Sequence, residues 1–129
     1  MFSHVTIGTR NLARAITFYG AVLAPLGIER VLGNYPNWAA WHRPGEPQKL
    51  WVGLPYDKQP ATVGNGCMAA FAAPSRVAVE AAYAAAIAAG GVDEGAPGLR
   101  VGYAPDYYGA YVRDPDGNKL HFVHRGENG

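Results

Sequence analysis

Cysteine is nearly absent from this chain, and so are long apolar runs. Cys67 is the single cysteine of 129 residues, so an internal disulfide is excluded. A lone thiol suits a reducing compartment, and the first residues, Met-Phe-Ser-His, lack the basic and apolar regions of a secretion signal. No run approaches the roughly 18 apolar residues that cross a bilayer. We therefore expect a cytoplasmic protein with no membrane partner.

An excess of either charge is also missing. The formal net charge is +1, and no block of Lys or Arg occurs, so nothing favours nucleic acid as a partner. The hydrophobic fraction of 49% is sufficient for a buried core, and the length predicts a single domain over residues 1–129. The 17 glycines and 10 prolines indicate many tight turns, as in a strand-rich fold.

The chain does contain a weak internal repeat. His4 opens a short apolar-rich stretch, and the helical pattern that follows ends at Gly27, 23 residues later. Met68 and Gly91 are separated by the same interval. Lys49-Leu50-Trp51-Val52 similarly corresponds to Lys119-Leu120-His121-Phe122. The repeat therefore pairs His4 with Met68 and Trp51 with His121.

Each half is predicted to contain a strand, a helix and three further strands. The half-domains span about 1–55 and 66–125, with a Pro- and Gly-rich linker at 56–65. Asn11 and Ser75 are predicted N-caps. In the second half we expect strands over 67–71, 98–103, 107–113 and 119–124. The predicted buried positions of the two helices are Leu12, Ile16, Tyr19, Leu23 and Leu26, then Val77, Ala81, Ala84 and Ala88.

This order resembles the vicinal oxygen chelate superfamily, which includes glyoxalase I, bleomycin-binding proteins and extradiol dioxygenases. The resemblance rests on the opening His4-Val5-Thr6-Ile7 and on Ala15-Ile16-Thr17-Phe18-Tyr19 in the first helix. The stretch from Gly66 to Ser75 and the turn Asp114-Pro115-Asp116-Gly117-Asn118 complete it. It implies an α+β fold in which two βαβββ repeats form a cupped, mostly antiparallel sheet, and it implies a homodimer.

The resemblance also implies where a divalent metal would be held: at His4, Trp51, Met68 and His121. Relatives usually carry His at the position of Met68 and often Glu at that of His121. Trp cannot coordinate a metal, and the thioether of Met68 is a poor ligand for Mn, Ni or Zn. Two histidines fall short of the three protein ligands of a catalytic zinc site. We therefore predict an incomplete metal site and no cofactor, with His4 and His121 as the residual candidate ligands.

Aromatic residues supply the second functional signal. Tyr103, Tyr107, Tyr108 and Tyr111 lie close together in the second half, and Trp38, Trp41 and Trp51 lie in the first. They could form a pocket wall that stacks on a planar ligand, or they could simply pack within the sheets, and the sequence leaves both open. The loop around Tyr103 would overhang the cup in relatives. Asp114 and Asp116 are explained by a turn and are assigned no chemistry.

These observations predict a glyoxalase-like protein that binds a small molecule and whose metal site is incomplete. Catalysis without metal and simple sequestration both remain open, and no catalytic residue is assigned. The alternative is a metal-dependent lyase, isomerase or dioxygenase that uses His4 and His121. The predicted ligand pocket consists of His4, Trp51, Met68, Tyr103, Tyr107, Tyr111 and His121.

Overall fold

The computed structural model describes residues 1–126 and contains, within them, two four-stranded sheets and two α-helices. The elements of the first half are β1 (His4–Gly8), α1 (Leu12–Leu23), β2 (Glu29–Val31), β3 (Trp38–His42) and β4 (Lys49–Gly53). Those of the second half are β5 (Ala69–Ala72), α2 (Arg76–Ala88), β6 (Val92–Leu99), β7 (Tyr107–Arg113) and β8 (Lys119–Arg125). The predicted order of elements in each half is thereby confirmed. Neither helix is long and apolar enough to cross a membrane.

The two halves share one topology. Sheet A has the strand order β1-β4-β3-β2 and sheet B the order β5-β8-β7-β6. In each sheet the first strand pairs with the last in parallel, and the other pairings are antiparallel. Thr6 pairs with Trp51, and Ala70 pairs with His121. Thr6 lies two residues after His4, and Ala70 lies two residues after Met68. The two sheets therefore have the same register at these positions, in agreement with the repeat that pairs His4 with Met68 and Trp51 with His121.

The helices begin where the sequence predicts. The side chain of Asn11 accepts a hydrogen bond from the Arg14 amide, and that of Ser75 accepts one from Ala78. The chain leaves the first helical segment through a 3₁₀ turn and then Gly27, whose φ is 75°. In α1 the predicted Tyr19, Leu23 and Leu26 are buried, but Leu12 and Ile16 are only partly so; Ala15, Phe18 and Val22 complete the buried face.

The predicted buried stripe of α2 is wrong. Val77 is exposed, and the residues that pack are Ala78, Val79, Ala82 and Ala86. The error has a physical origin. In a helix composed mostly of alanine the apolar pattern barely changes around the axis, so the sequence does not define which side is buried.

Two strand boundaries also differ from the prediction. The strand predicted over 98–103 runs instead from Val92 to Leu99, directly after the glycines that end α2, and residues 101–103 form a turn. Shifts of register on either side of Gly95 interrupt its alternation of side chains, which hid the strand in the sequence. The strand predicted from Cys67 begins at Ala69, because the Cys67 amide closes a turn onto the carbonyl of Gly64.

β1 and β5 are edge strands, and side chains rather than backbone pairing connect the two sheets along them. The side-chain amide of Asn118 donates to the carbonyl of Gly8 at 3.0 Å, at the end of β1. The guanidinium of Arg43 donates to the carbonyl of Ala72 at 2.7 Å, at the end of β5. We call the gap between these strands the seam.

One hydrophobic core lies between the helices and one face of each sheet. Its largest fully buried side chains include Trp41, Tyr19, Phe18 and Phe122. Alternation along the strands places the remaining side chains on the opposite face of each sheet, which we call the helix-free face. On sheet B this face carries Tyr107, Tyr111 and His121.

Candidate functional site

The seam contains a cleft of about 360 Å³. β1 contributes residues 5–8, and Met68 and Lys119 line the opposite side, with Thr62 to Gly64 of the linker region between them. Met68 is 46% exposed, so its thioether faces an open groove rather than a closed core. The cleft therefore includes one of the predicted pocket residues.

Four of the seven predicted pocket residues form a contiguous group, which we call the aromatic cluster: Tyr103, Tyr107, Tyr111 and His121. The rings of Tyr111 and His121 stack with centroids 4.0 Å apart and an angle of 11° between planes. Tyr107 is also nearly parallel to His121, at 5.7 Å. Tyr103 meets Tyr107 edge-on at 5.2 Å and is 70% exposed. The cluster thus has a buried base at His121 and an open rim at Tyr103.

The hydrogen bonds of His121 define its tautomer. Nδ1 lies 2.9 Å from the carbonyl oxygen of Ala110, which can only accept, so Nδ1 carries the proton. In the neutral ring Nε2 is then an acceptor, and the hydroxyl of Tyr107, 2.8 Å away, donates to it. Burial, opposed in part by the bond to Ala110, lowers the pKa of His121, and the charges of Arg100, Lys119 and Arg125 lower it further. The ring is therefore neutral near pH 7.

A glycine makes room for this arrangement. A Cβ atom at Gly109 would lie 2.5 Å from Cε1 of His121, closer than real contacts allow. The imidazole consequently lies flat across β7, which brings Nε2 to Tyr107 and exposes its face to Tyr111. In sheet A, Trp38 similarly covers Gly53.

Three cations surround the cluster. The side-chain nitrogen of Lys119 lies 5.3 Å from the ring centre of Tyr111, and the guanidinium of Arg100 lies 5.7 Å from the same ring. The guanidinium of Arg125 lies 5.1 Å from the ring of Tyr107. The sequence did not lead us to assign Lys119 and Arg125 to the pocket. Alternation along β8 could have done so, because it places both side chains on the same face of the sheet as His121.

The other three predicted pocket residues lie apart from the cluster. His4 is exposed and shares a hydrogen bond with the Ser3 hydroxyl at 2.9 Å. Trp51 packs edge-on against Tyr35 at 5.2 Å, and Met68 lines the cleft. Within residues 1–126, no hydrogen bond or ring stacking joins these three to the aromatic cluster.

Two further aromatic residues of the predicted group belong to the core side. Trp41 is buried and contacts Tyr19 at 5.8 Å. The hydroxyl of Tyr108 donates to Glu80 of α2 at 2.6 Å. Hydrogen bonding to Glu80, followed by burial, raises the pKa of Tyr108. For these two residues the packing alternative is the correct one.

The turn explanation of the two aspartates is incomplete. The carboxylate of Asp114 is buried, caps its own turn and also accepts a hydrogen bond from Tyr19 of α1 at 2.5 Å. That of Asp116 accepts from Thr9, from the Arg10 amide and from Arg14. Both therefore join the last hairpin to the first half of the chain, in a structural role.

The donor set does not suit a divalent metal. A metal would need the lone pair on Nε2 of His121, and that lone pair already accepts the hydrogen bond from Tyr107. The indole of Trp51 has no lone pair available for a metal, and Met68 offers only a soft thioether. Among residues 1–126 there is also no group of three or more His, Cys, Asp or Glu side chains placed to hold a metal ion.

The chain is similar to proteins of one known superfamily. Residues 1–122 match the model of the Glyoxalase/Bleomycin resistance protein/Dioxygenase superfamily. A glyoxalase/bleomycin resistance protein from Albidiferax ferrireducens T118 is 40% identical, with a TM-score of 0.87 over 98% of this chain and 99% of that one. No curated protein sequence matches.

More distant structures share the fold. A glyoxalase-related enzyme from Fulvimarina pelagi is 21% identical, with a TM-score of 0.72 over 100% of this chain and 94% of its own. A lactoylglutathione lyase from Agrobacterium tumefaciens is 20% identical, with a TM-score of 0.63 over 96% and 92% of the two chains. The family model over residues 1–122 and the 40% identical relative establish that the chain belongs to the glyoxalase, bleomycin resistance and dioxygenase superfamily, whose members share the vicinal oxygen chelate fold.

Proposed function

We propose that this protein binds a small, planar organic molecule on its helix-free face, with no resident divalent metal. The hydrogen bond from Tyr107 to Nε2 of His121 carries the proposal, because it occupies that nitrogen with a phenol and leaves the exposed His4 as the other imidazole of the predicted set. In this arrangement the imidazole supports the wall of a pocket. The exposed ring of Tyr103 supplies a stacking surface at the rim.

The register of the two sheets supports a ligand that spans the seam. The Thr6–Trp51 pair of sheet A and the Ala70–His121 pair of sheet B are equivalent positions on its two sides. Thr6 and Ala70, which lie between Trp51 and the aromatic cluster in this register, have short, exposed side chains. A ligand there would stack on aromatic rings at both ends and cover the cleft that Met68 lines.

The same hydrogen bond offers a route to catalysis without metal. A neutral imidazole next to a phenol can accept the hydroxyl proton of Tyr107 while Tyr107 accepts one from a bound molecule. Both groups are already aligned, at 2.8 Å. A Tyr107→Phe variant would lose this proton transfer and keep the stacking surface.

Calorimetric titration with Ni, Zn, Mn and Fe(II) tests the absence of a metal. We expect no one-site binding at micromolar concentrations in chelator-treated protein, since Tyr107 occupies Nε2 of His121, and the exposed His4 and the thioether of Met68 are too few further donors. His124→Gln serves as the matched control. Tight one-site binding that is lost in His121→Gln and kept in His124→Gln would overturn the proposal and favour the alternative, a metal-dependent enzyme using His4 and His121.

Protein-observed NMR titration with 2-naphthamide, a neutral planar probe, tests the pocket itself. We expect shifts in the amides of β7, β8 and β4, and weaker binding in Tyr103→Ala and Trp51→Ala. Tyr56→Ala is the control, since Tyr56 is fully exposed and lies in the linker. Shifts scattered over the surface, or equal affinity in all three variants, would contradict the proposed pocket.

A homodimer and a cytoplasmic location remain part of the proposal. Leu32 follows the outer edge strand β2 and Val92 begins the outer edge strand β6; both are apolar and exposed outside the cleft, which supports a second copy packing at these edges.

A further inference from the structure

The charges around the aromatic cluster identify a ligand class. Arg100, Lys119 and Arg125 come from the end of β6 and from both ends of β8, and all three lie within 6 Å of a tyrosine ring centre. Among residues 1–126, none of them forms an ion pair with a carboxylate. A fourth cation nearby, Arg113, is neutralised by Glu94 at 2.7 Å. Three positive charges thus converge on one aromatic surface, and no carboxylate of residues 1–126 pairs with any of them.

We propose that the natural ligand is a planar anion, such as an aromatic carboxylate or an enolate, bound with its ring on the tyrosines and its negative group toward Lys119. This inference rests on the proposed function, since it assigns the ligand class of the same pocket. A neutral or cationic aromatic ligand would meet the same rings but would face uncompensated positive charge.

The geometry separates the roles of the three cations. Lys119 both covers Tyr111 and lines the cleft of the seam, so its ammonium group can reach a ligand there. Arg100 is held by the carbonyl oxygen of Ala96 at 2.8 Å, which fixes its position while leaving its charge intact. Arg125 is exposed at the outer end of β8, above Tyr107. Lys119 is therefore the residue expected to contact the negative group.

The positive field of these cations also acts on His121. The same three cations contribute to the lowered pKa of its imidazole, after the larger effect of burial. A ring that is kept neutral in this field does not add a fourth charge.

Three naphthalene probes of one shape and different charge test the inference: 2-naphthoate, 2-naphthamide and 2-naphthylmethylammonium, each titrated at pH 7.5 and followed by NMR. We expect 2-naphthoate to bind about tenfold more tightly than the amide and the ammonium probe to bind least. Only the affinity for 2-naphthoate should fall as NaCl is raised.

Variants then locate the effect. Lys119→Gln should reduce the preference for 2-naphthoate over 2-naphthamide about threefold or more, because the naphthoate loses a charge contact that the amide does not make. Arg30→Gln is the matched control, since Arg30 also lies over an aromatic ring, Trp41, but on the helix side of sheet A. It makes the same change in net charge and should leave the preference intact.

The outcomes distinguish two failures. If 2-naphthoate and 2-naphthamide bind equally, with both still dependent on Tyr103, the anion inference is wrong and the proposed pocket stands. If none of the three probes binds, the proposed pocket is wrong as well. An equal loss of preference in Lys119→Gln and Arg30→Gln would assign the effect to net charge and contradict a specific contact.

Discussion

His121 is buried with a neutral ring, and this couples its protonation to the stability of the fold. Its pKa is lowered in the folded state from the ordinary 6.5, whereas the unfolded chain regains the ordinary value. Below about pH 6.5 the unfolded state therefore binds more protons, and stability decreases as the pH falls toward the lowered pKa. Above pH 6.5 this contribution is constant. Urea unfolding at pH 7.5 and pH 5 measures the difference.

Two variants show whether His121 is responsible. His121→Gln should be less stable at pH 7.5 and should lose part of the stability difference between pH 7.5 and 5. His124→Gln should keep the difference, since the pKa of His121 is unaffected by that change. Identical pH dependence in wild type and His121→Gln would contradict the assignment.

The residue scale also shows how far the sequence could predict the site. Tyr103, Tyr107, Tyr111 and His121 were predicted as pocket residues, and the structure brings them into contact. The hydrogen bond between Tyr107 and His121 could not be predicted, since it depends on a side chain lying across Gly109. His4 was predicted from the internal repeat and the family pattern, and in the structure it is exposed beside Ser3.

At the scale of a single element, β7 depends on Gly109. Alanine there would place a Cβ atom 2.5 Å from His121 and 3.2 Å from the carbonyl oxygen of Phe122. Because these neighbours are buried and one is backbone, we expect Gly109→Ala to cost about 1–3 kcal/mol of unfolding free energy. It should also displace the imidazole, which NMR would detect as a change in the Nε2 chemical shift of His121.

Gly102→Ala provides the control for this strand. It lies in the turn before β7, and an added Cβ atom would have no neighbour within 4 Å. Its stability should stay close to that of the wild type. Comparable losses in the two variants would show that glycine itself, rather than the space above Gly109, is what β7 requires.

Elements were predicted best where side-chain chemistry is local. The caps of both helices depend on one side chain and one amide, and both were predicted correctly. β6 was misplaced because its register shifts around Gly95 remove the alternation that a strand normally shows. The buried face of α2 was misassigned because alanine is equally tolerated on every side.

At the scale of the whole molecule, Asp116 is the main charged link between the two halves. Its side chain is 4% exposed and accepts hydrogen bonds from Thr9, Arg10 and Arg14. Asp116→Asn should therefore cost about 1–3 kcal/mol in urea unfolding. The two arginines are about half exposed, so solvent screening limits their part in that loss.

Glu46→Gln is the comparison for Asp116→Asn, because it removes an ion pair whose carboxylate is exposed rather than buried. Glu46 is half exposed and pairs with Arg43 at 3.5 Å within a single loop. Its loss should cost no more than about 0.5 kcal/mol. Equal effects of the two substitutions would contradict a special role of Asp116 in joining the halves.

The separate construction of the two sheets bears on how such a protein can diversify. The stacked rings, the hydrogen-bonded imidazole and the glycine beneath it all belong to sheet B, whereas Trp51 and its surroundings belong to sheet A. Mutations in the first half can therefore reshape one wall of the groove without disturbing the Tyr107–His121 pair. Selection for a new ligand can act on one half of the gene while the other preserves its chemistry.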